Sequence, residues 1–184
     1  MSSTATTTTV TAKTLPPPHR ILASHSTIDG TPLVMDDTFP HANDDETLKA
    51  CVGYVQPTLI GEPEKAVEWA GYRPSKISHD DQTSLRWVDI PPHYEGALHF
   101  TNTFGKSCDY LIVTHGEAVM GLHDGTTKTV RVGDAVVQIA NIHSWSNHTS
   151  EWARFVGVVV PSKPVLLDGE GLDRPPFNGY HAQF

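Results

Sequence analysis

A chain of 184 residues, 38% hydrophobic and 18% charged, is long enough for one buried core, too short for two comfortable ones, and globular in composition. Its formal net charge of -8, with no basic patch, argues against a nucleic-acid partner, since affinity for a polyanion depends on clustered Lys and Arg that release counterions. Two cysteines, Cys51 and Cys108, rule out a disulfide framework and a Cys-x-x-Cys zinc or redox site, and no apolar run approaches the roughly eighteen residues of a membrane span.

Residues 1–14 form a Ser/Thr-biased leader with too little apolar mass to offset its ordering entropy, so it is expected to be disordered. It lacks the basic segment and apolar core of a signal peptide and the arginines of a transit peptide, which points to a reduced, cytoplasmic setting. The sequon at Asn147-His148-Thr149 is then a coincidence. After the stiff Pro16-Pro17-Pro18, Arg20-Ile21-Leu22 and Pro32-Leu33-Val34-Met35 read as a hairpin turned at Asp29-Gly30.

Two segments between residues 36 and 81 have helical character, 46–52 and 63–70, the second with Pro63 in its first turn and Glu64, Ala66, Glu68 and Ala70 as helix formers. Residues 84–90 alternate as a strand that Pro91-Pro92 ends. Four short strands follow at 108–115, 118–123, 129–132 and 135–140, separated by Gly116-Glu117, Asp124-Gly125 and Gly133-Asp134. Glycine and short polar residues accept the positive φ of tight antiparallel turns, so this is a hairpin series. A further strand covers 154–160. The Gly/Pro-rich tail, 171–184, carries Phe177, Tyr180 and Phe184 and is expected to pack somewhere.

Polar residues hang on these strands at informative intervals. Asp109 precedes Gly116 by seven positions, and Gly133 precedes His143 by ten and Asn147 by fourteen. Together with the run from Gly133 to Gln138 and Trp152-Ala153-Arg154, this pattern resembles the cupin superfamily, in particular small single-domain cupins of fungi associated with secondary metabolism and loosely described as decarboxylase-like. The resemblance covers most of residues 15–165. It implies an all-β fold, an antiparallel jelly-roll β-barrel over residues 15–170, with an N-terminal arm and a few short helices. In such cupins the hairpin would sit at the barrel edge or cross to a partner subunit. Because edge strands need covering, a homodimer is expected.

In this family a first motif supplies two histidines and a carboxylate to a metal, and a second motif supplies a third histidine. His143 stands at the second-motif position, and Asp109 replaces the usual glutamate of the first. Where the first motif expects histidines the chain has Asn102, Thr103, Phe104 and Gly105. The nearest histidine, His99, fits only with a loop insertion of about four residues, which closure entropy tolerates because it grows logarithmically with length. The resemblance therefore implies catalytic roles for His143, Asp109 and His99, and substrate contacts for Trp145, Gln138, Asn147 and Phe104. Tyr110 neighbours Asp109 and is expected to face the other side of its strand. His93, His115, His123 and His148 fall at turns or strand ends and read as surface residues.

The expected activity is proton-transfer chemistry (dehydration, decarboxylation or cyclisation) on a small organic, polyketide-like molecule, without a redox cofactor or metal. His143 would be the general acid or base and Asp109 its orienting or complementary partner. Two alternatives stand beside it. One is a metal-dependent decarboxylase or dioxygenase holding Fe, Mn or Zn through His99, Asp109 and His143; the other is a non-catalytic binding protein that sequesters a small ligand.

Overall fold

The computed structural model describes residues 14–39, 48–72, 82–101 and 106–171. The expected 1–14 leader and 171–184 tail fall almost entirely outside them. The chain opens with a hairpin of β1 (His19–His25) and β2 (Pro32–Thr38), which pair only with each other. Its turn contains Gly30 at φ 73, a value that glycine adopts without a Cβ penalty. Arg20 anchors the base of this hairpin to its own chain. Its guanidinium grips both Asp37 oxygens, at 2.9 and 2.5 Å, and donates to the carbonyls of Gly53 and Ala70.

β3 (Lys49–Gln56) corrects the helix expected at 46–52. Ala50, Glu46 and Lys49 tolerate a helix, but Val52, Tyr54 and Val55 prefer a pleated surface, and β4 (Thr83–Ile90) offers an edge on which they can pair. The second expected helix is present: a 3₁₀ turn at Pro63–Lys65 leads into α1 (Ala66–Gly71), which buries Ala66, Trp69 and Ala70.

The remaining strands are β5 (His99–Phe100), β6 (Ser107–His115), β7 (Glu117–Leu122), β8 (Thr127–Arg131), β9 (Ala135–Ile139), β10 (Ile142–Ser146) and β11 (Ala153–Pro161), with a small outlying hairpin of β12 (Leu166–Leu167) and β13 (Glu170–Gly171). They make two antiparallel sheets, ordered β3-β4-β11-β6-β9 and β5-β10-β7-β8. Successive strands alternate between the two sheets from β4 to β7 and again from β8 to β11, while β3-β4 and β7-β8 stay together as hairpins, the jelly-roll arrangement that was expected. Strand β10 lies where no strand was expected, because in Ile-His-Ser-Trp-Ser only Ile142 and Trp145 favour a strand, too weak a signal beside His143 and two serines.

The two inner faces meet in an apolar core of Ile90, Leu111, Val113, Ala118, Val130, Trp145, Ala153 and Phe155. Outside the five-stranded sheet, Phe39 stacks on Trp87, and the buried Asp89 takes two bonds from Arg154, at 2.5 and 2.6 Å. Among the described residues no helix is long and apolar enough to cross a membrane.

Candidate active site

Alternation along each strand decides which residues enter the barrel. On β6 the buried Leu111 and Val113 point inward, so Ser107 and Asp109 do too, whereas Tyr110 and Ile112 face out, each about half exposed. On β4, Ile90 belongs to the core, and the same face continues through Val88 to Arg86 and Ser84. Register then aligns Ser84 with Val159, Val159 with Asp109, and Asp109 with Gln138 across four strands. One end of the interior is therefore apolar and the other polar.

The four-stranded sheet completes the polar end. β5 pairs with β10 so that His99 lies directly opposite His143, their ring centroids 4.5 Å apart. Two positions along, Trp145 packs edge-on to His143 and against Phe155, and its indole N–H donates to Gln138 Oε1 at 3.3 Å. The Gln138 amide in turn reaches the Met120 sulfur at 3.7 Å. Parity along the sequence could not orient Gln138 and Trp145; this bond between the two sheets shows that both point inward.

Burial dominates the electrostatics. His143 is 4% exposed, and desolvation together with the neighbouring His99 holds its imidazole well below the usual histidine range. Desolvation also lowers His99, whose Nδ1 lies 2.9 Å from the Ala97 carbonyl. A carbonyl only accepts, so Nδ1 carries the proton in the neutral ring and Nε2 keeps its lone pair. The Nδ1 of His143 is buried without a hydrogen-bond partner. Asp109 moves the other way. Burial raises its carboxyl above the ordinary range, against the opposing pull of a 2.7 Å bond from Ser107 and the charge of Arg86.

The expected residues therefore separate into two groups. His99 and His143 meet, while Asp109 sits on the facing sheet with Ser107 as its hydrogen-bond partner, so it does not orient His143. Asn147 is committed to the fold rather than to a substrate. It is fully buried, its amide donates to the carbonyls of Ile90 and Glu151, and its oxygen accepts from the backbone and hydroxyl of Thr149. Phe104 lies outside the described residues. His93, His115, His123 and His148 are exposed, as expected of them.

Sequence reasoning missed Arg86 and Ser84. Their signal was present, since both fall at even offsets from Ile90 on a strand that was itself expected.

Among the described residues no three His, Cys, Asp or Glu side chains come together: His99 and His143 meet on one sheet and Asp109 lies on the other.

The lowered histidines predict an acid-sensitive fold. Above the unfolded value of about 6.5 both states are neutral and nothing is lost. As pH falls below it, the unfolded chain takes up protons that the folded pair refuses, so stability drops until the folded values are reached. The raised Asp109 works oppositely, favouring the fold only at acidic pH. Thermal melting should therefore fall from pH 7 to pH 5, and fall less in a His99→Gln, His143→Gln double variant. Equal losses in both proteins would refute the assignment.

No protein-family profile matches the chain. It is 37% identical over 101 residues to the phomopsin biosynthesis cluster protein C' of Diaporthe leptostromiformis, a match covering 54% of this chain and 51% of that one. The chain thus spans about half the length of this relative. Oryzines biosynthesis cluster protein J of Aspergillus oryzae is 24% identical over 87% of this chain and 92% of its own. The cupin-domain-containing oxidoreductase virC of Hypocrea virens is 31% identical over 45% of this chain and 42% of its own. Among solved structures, the Schizosaccharomyces pombe Cnp3 cupin domain has a TM-score of 0.46 at 12% identity, over 78% of this chain and 87% of that one.

Proposed function

We propose that the chain is a member of the cupin superfamily and an enzyme of fungal secondary metabolism that moves protons on a small organic substrate. The observation that carries this reading is the buried His99–His143 pair, with one ring nitrogen of His143 lacking any partner. A buried, neutral imidazole with a free nitrogen is a general base in waiting, and a second imidazole beside it can share the proton it gains. His143 takes a proton from the substrate. Asp109, raised by burial, faces the same interior from the opposite sheet and is the partner for the returned proton. The bond change that follows, dehydration, decarboxylation or ring closure, belongs to the substrate. Gln138, opposite Asp109, and Trp145, beside His143, bond to each other across the sheets and flank the two groups.

An oxidoreductase is the second reading, favoured by the similarity to the cupin-domain-containing oxidoreductase of Hypocrea virens, and it would require a metal that the proton-transfer reading does not. One experiment separates the two. Chelator-treated protein in D₂O, given small β-hydroxy and β-keto carbonyl compounds, should place solvent deuterium on substrate carbon at an undiminished rate. Exchange that requires added iron, manganese or zinc, or that consumes dioxygen, would replace the proton-transfer reading by the oxidoreductase.

A further inference from the structure

Arg86 is the one group at the polar end whose chemistry the reading above leaves unused. Its side chain enters the barrel from β4, is 8% exposed, and among the described residues makes a single hydrogen bond, from Nε to Ser84 Oγ at 2.8 Å. Nη2 is buried with no partner. A guanidinium is charged at any physiological pH, and a buried charge is costly unless something of opposite sign meets it.

The same chain shows how its other arginines at the core are satisfied. Arg20 and Arg154 each hold a carboxylate through two nitrogens, Asp37 and Asp89 respectively, and each also donates to backbone carbonyls. Arg86 holds none. Asp109 acts on it through its charge but not through an ion pair, and is itself engaged by Ser107. Its register partner on β11 is Gly157, over which the Leu111 side chain packs, so no polar side chain from β11 reaches the guanidinium at this level.

We propose that Arg86 is the anion receptor of the barrel, and that the substrate carries a carboxylate, or an enolate that develops during reaction, which docks on its vacant edge. The guanidinium fork matches a carboxylate in geometry as well as charge, as Asp37 and Asp89 demonstrate elsewhere in this molecule. The proposal rests on the proton-transfer reading for what happens next and names its substrate class. An anion held at Arg86 on the five-stranded sheet lies across the interior from His143 on the four-stranded sheet, so recognition and proton removal are divided between the two walls.

The test measures binding, so that it does not depend on turnover. Formate, isobutyrate and benzoate are compared with formamide, isobutyramide and benzamide, by calorimetry and thermal shift, on the wild type and on Arg86→Met, Arg86→Lys and His143→Gln. At least one carboxylate should bind and its amide should not. Binding should weaken by about 10- to 100-fold in Arg86→Met, the effect of removing a charge-assisted hydrogen bond, less in Arg86→Lys, and remain in His143→Gln. Without ligand, Arg86→Met should melt at or above the wild-type temperature, because replacing a buried unpaired charge by a packed apolar chain removes a desolvation cost; a structural arginine would do the reverse. Carboxylates that fail to bind, or that bind equally to Arg86→Met, overturn the proposal. A His143→Gln protein that binds carboxylate and also turns over normally would leave the receptor standing and remove the proton-transfer reading.

Discussion

Replacing His143 with alanine is expected to lower turnover by roughly 10²- to 10⁴-fold, the usual loss for a general acid or base. The fold should survive it. His143 contributes ring contacts with His99 and Trp145, but its Nδ1 bonds to nothing, so deletion leaves no stranded partner at that nitrogen. The stability cost should then sit toward the low end of the about 0.5–3 kcal/mol typical of destabilising substitutions. The pH profile of kcat/KM adds a second signature. A base held below the usual histidine range should keep full activity at neutral pH and lose it only on further acidification. Product formation and thermal melting on the same preparations decide the matter. A variant that melts normally and turns over at the wild-type rate would take His143 out of the mechanism; one that loses activity only in proportion to its folded fraction would make it a structural residue.

Gly116→Ala is expected to cause a large loss of stability. Gly116 joins β6 to β7 at φ 67, a left-handed conformation that costs an L-residue about 1–2 kcal/mol. An added Cβ would also stand 2.4 Å from the Trp152 carbonyl oxygen and 3.0 Å from Ala153 Cα. Both are backbone atoms at the start of β11, so relief requires the sheet to shift, at a further cost of about 1–3 kcal/mol. Together these take about 2–5 kcal/mol from a domain whose whole stability is of order 5–15 kcal/mol. Gly125 is the control. It has φ 85 but no atom within 4 Å of its absent Cβ, so Gly125→Ala should suffer only the conformational part. Urea unfolding of the two variants should show Gly116→Ala clearly the weaker, and equal midpoints would refute the close approach.

Much of the barrel was readable from the chain because local chemistry and tertiary structure agree there. Asp124-Gly125 and Gly133-Asp134 turn hairpins wherever they occur, and the β-branched runs between them can pack only as strands. Parity alone sent Tyr110 outward. The reading failed where local propensity is weak or contradicts the neighbours: residues 49–52 became strand because β4 presented an edge to pair with, and β10 formed from a segment that has only a weak preference for being a strand.

The amino-acid sequence by itself determined the hairpin series and the inward side of β6, and it singled out His143, since each depends on residues near one another along the chain. Only the tertiary structure decided what His143 stands beside. Its neighbour is His99 because β5 pairs with β10 across more than forty residues of chain, whereas Asp109, expected beside it, is carried to the facing sheet by the register of β6. Asn147 was drawn into the fold by carbonyls of Ile90 and Glu151, and Arg86 was left with an empty donor because no carboxylate of this chain is brought within ion-pair reach of it among the described residues. Strand register couples residues that are distant in sequence, and that coupling, not the identity of any one residue, sets which side chains share the interior and which charge remains unanswered.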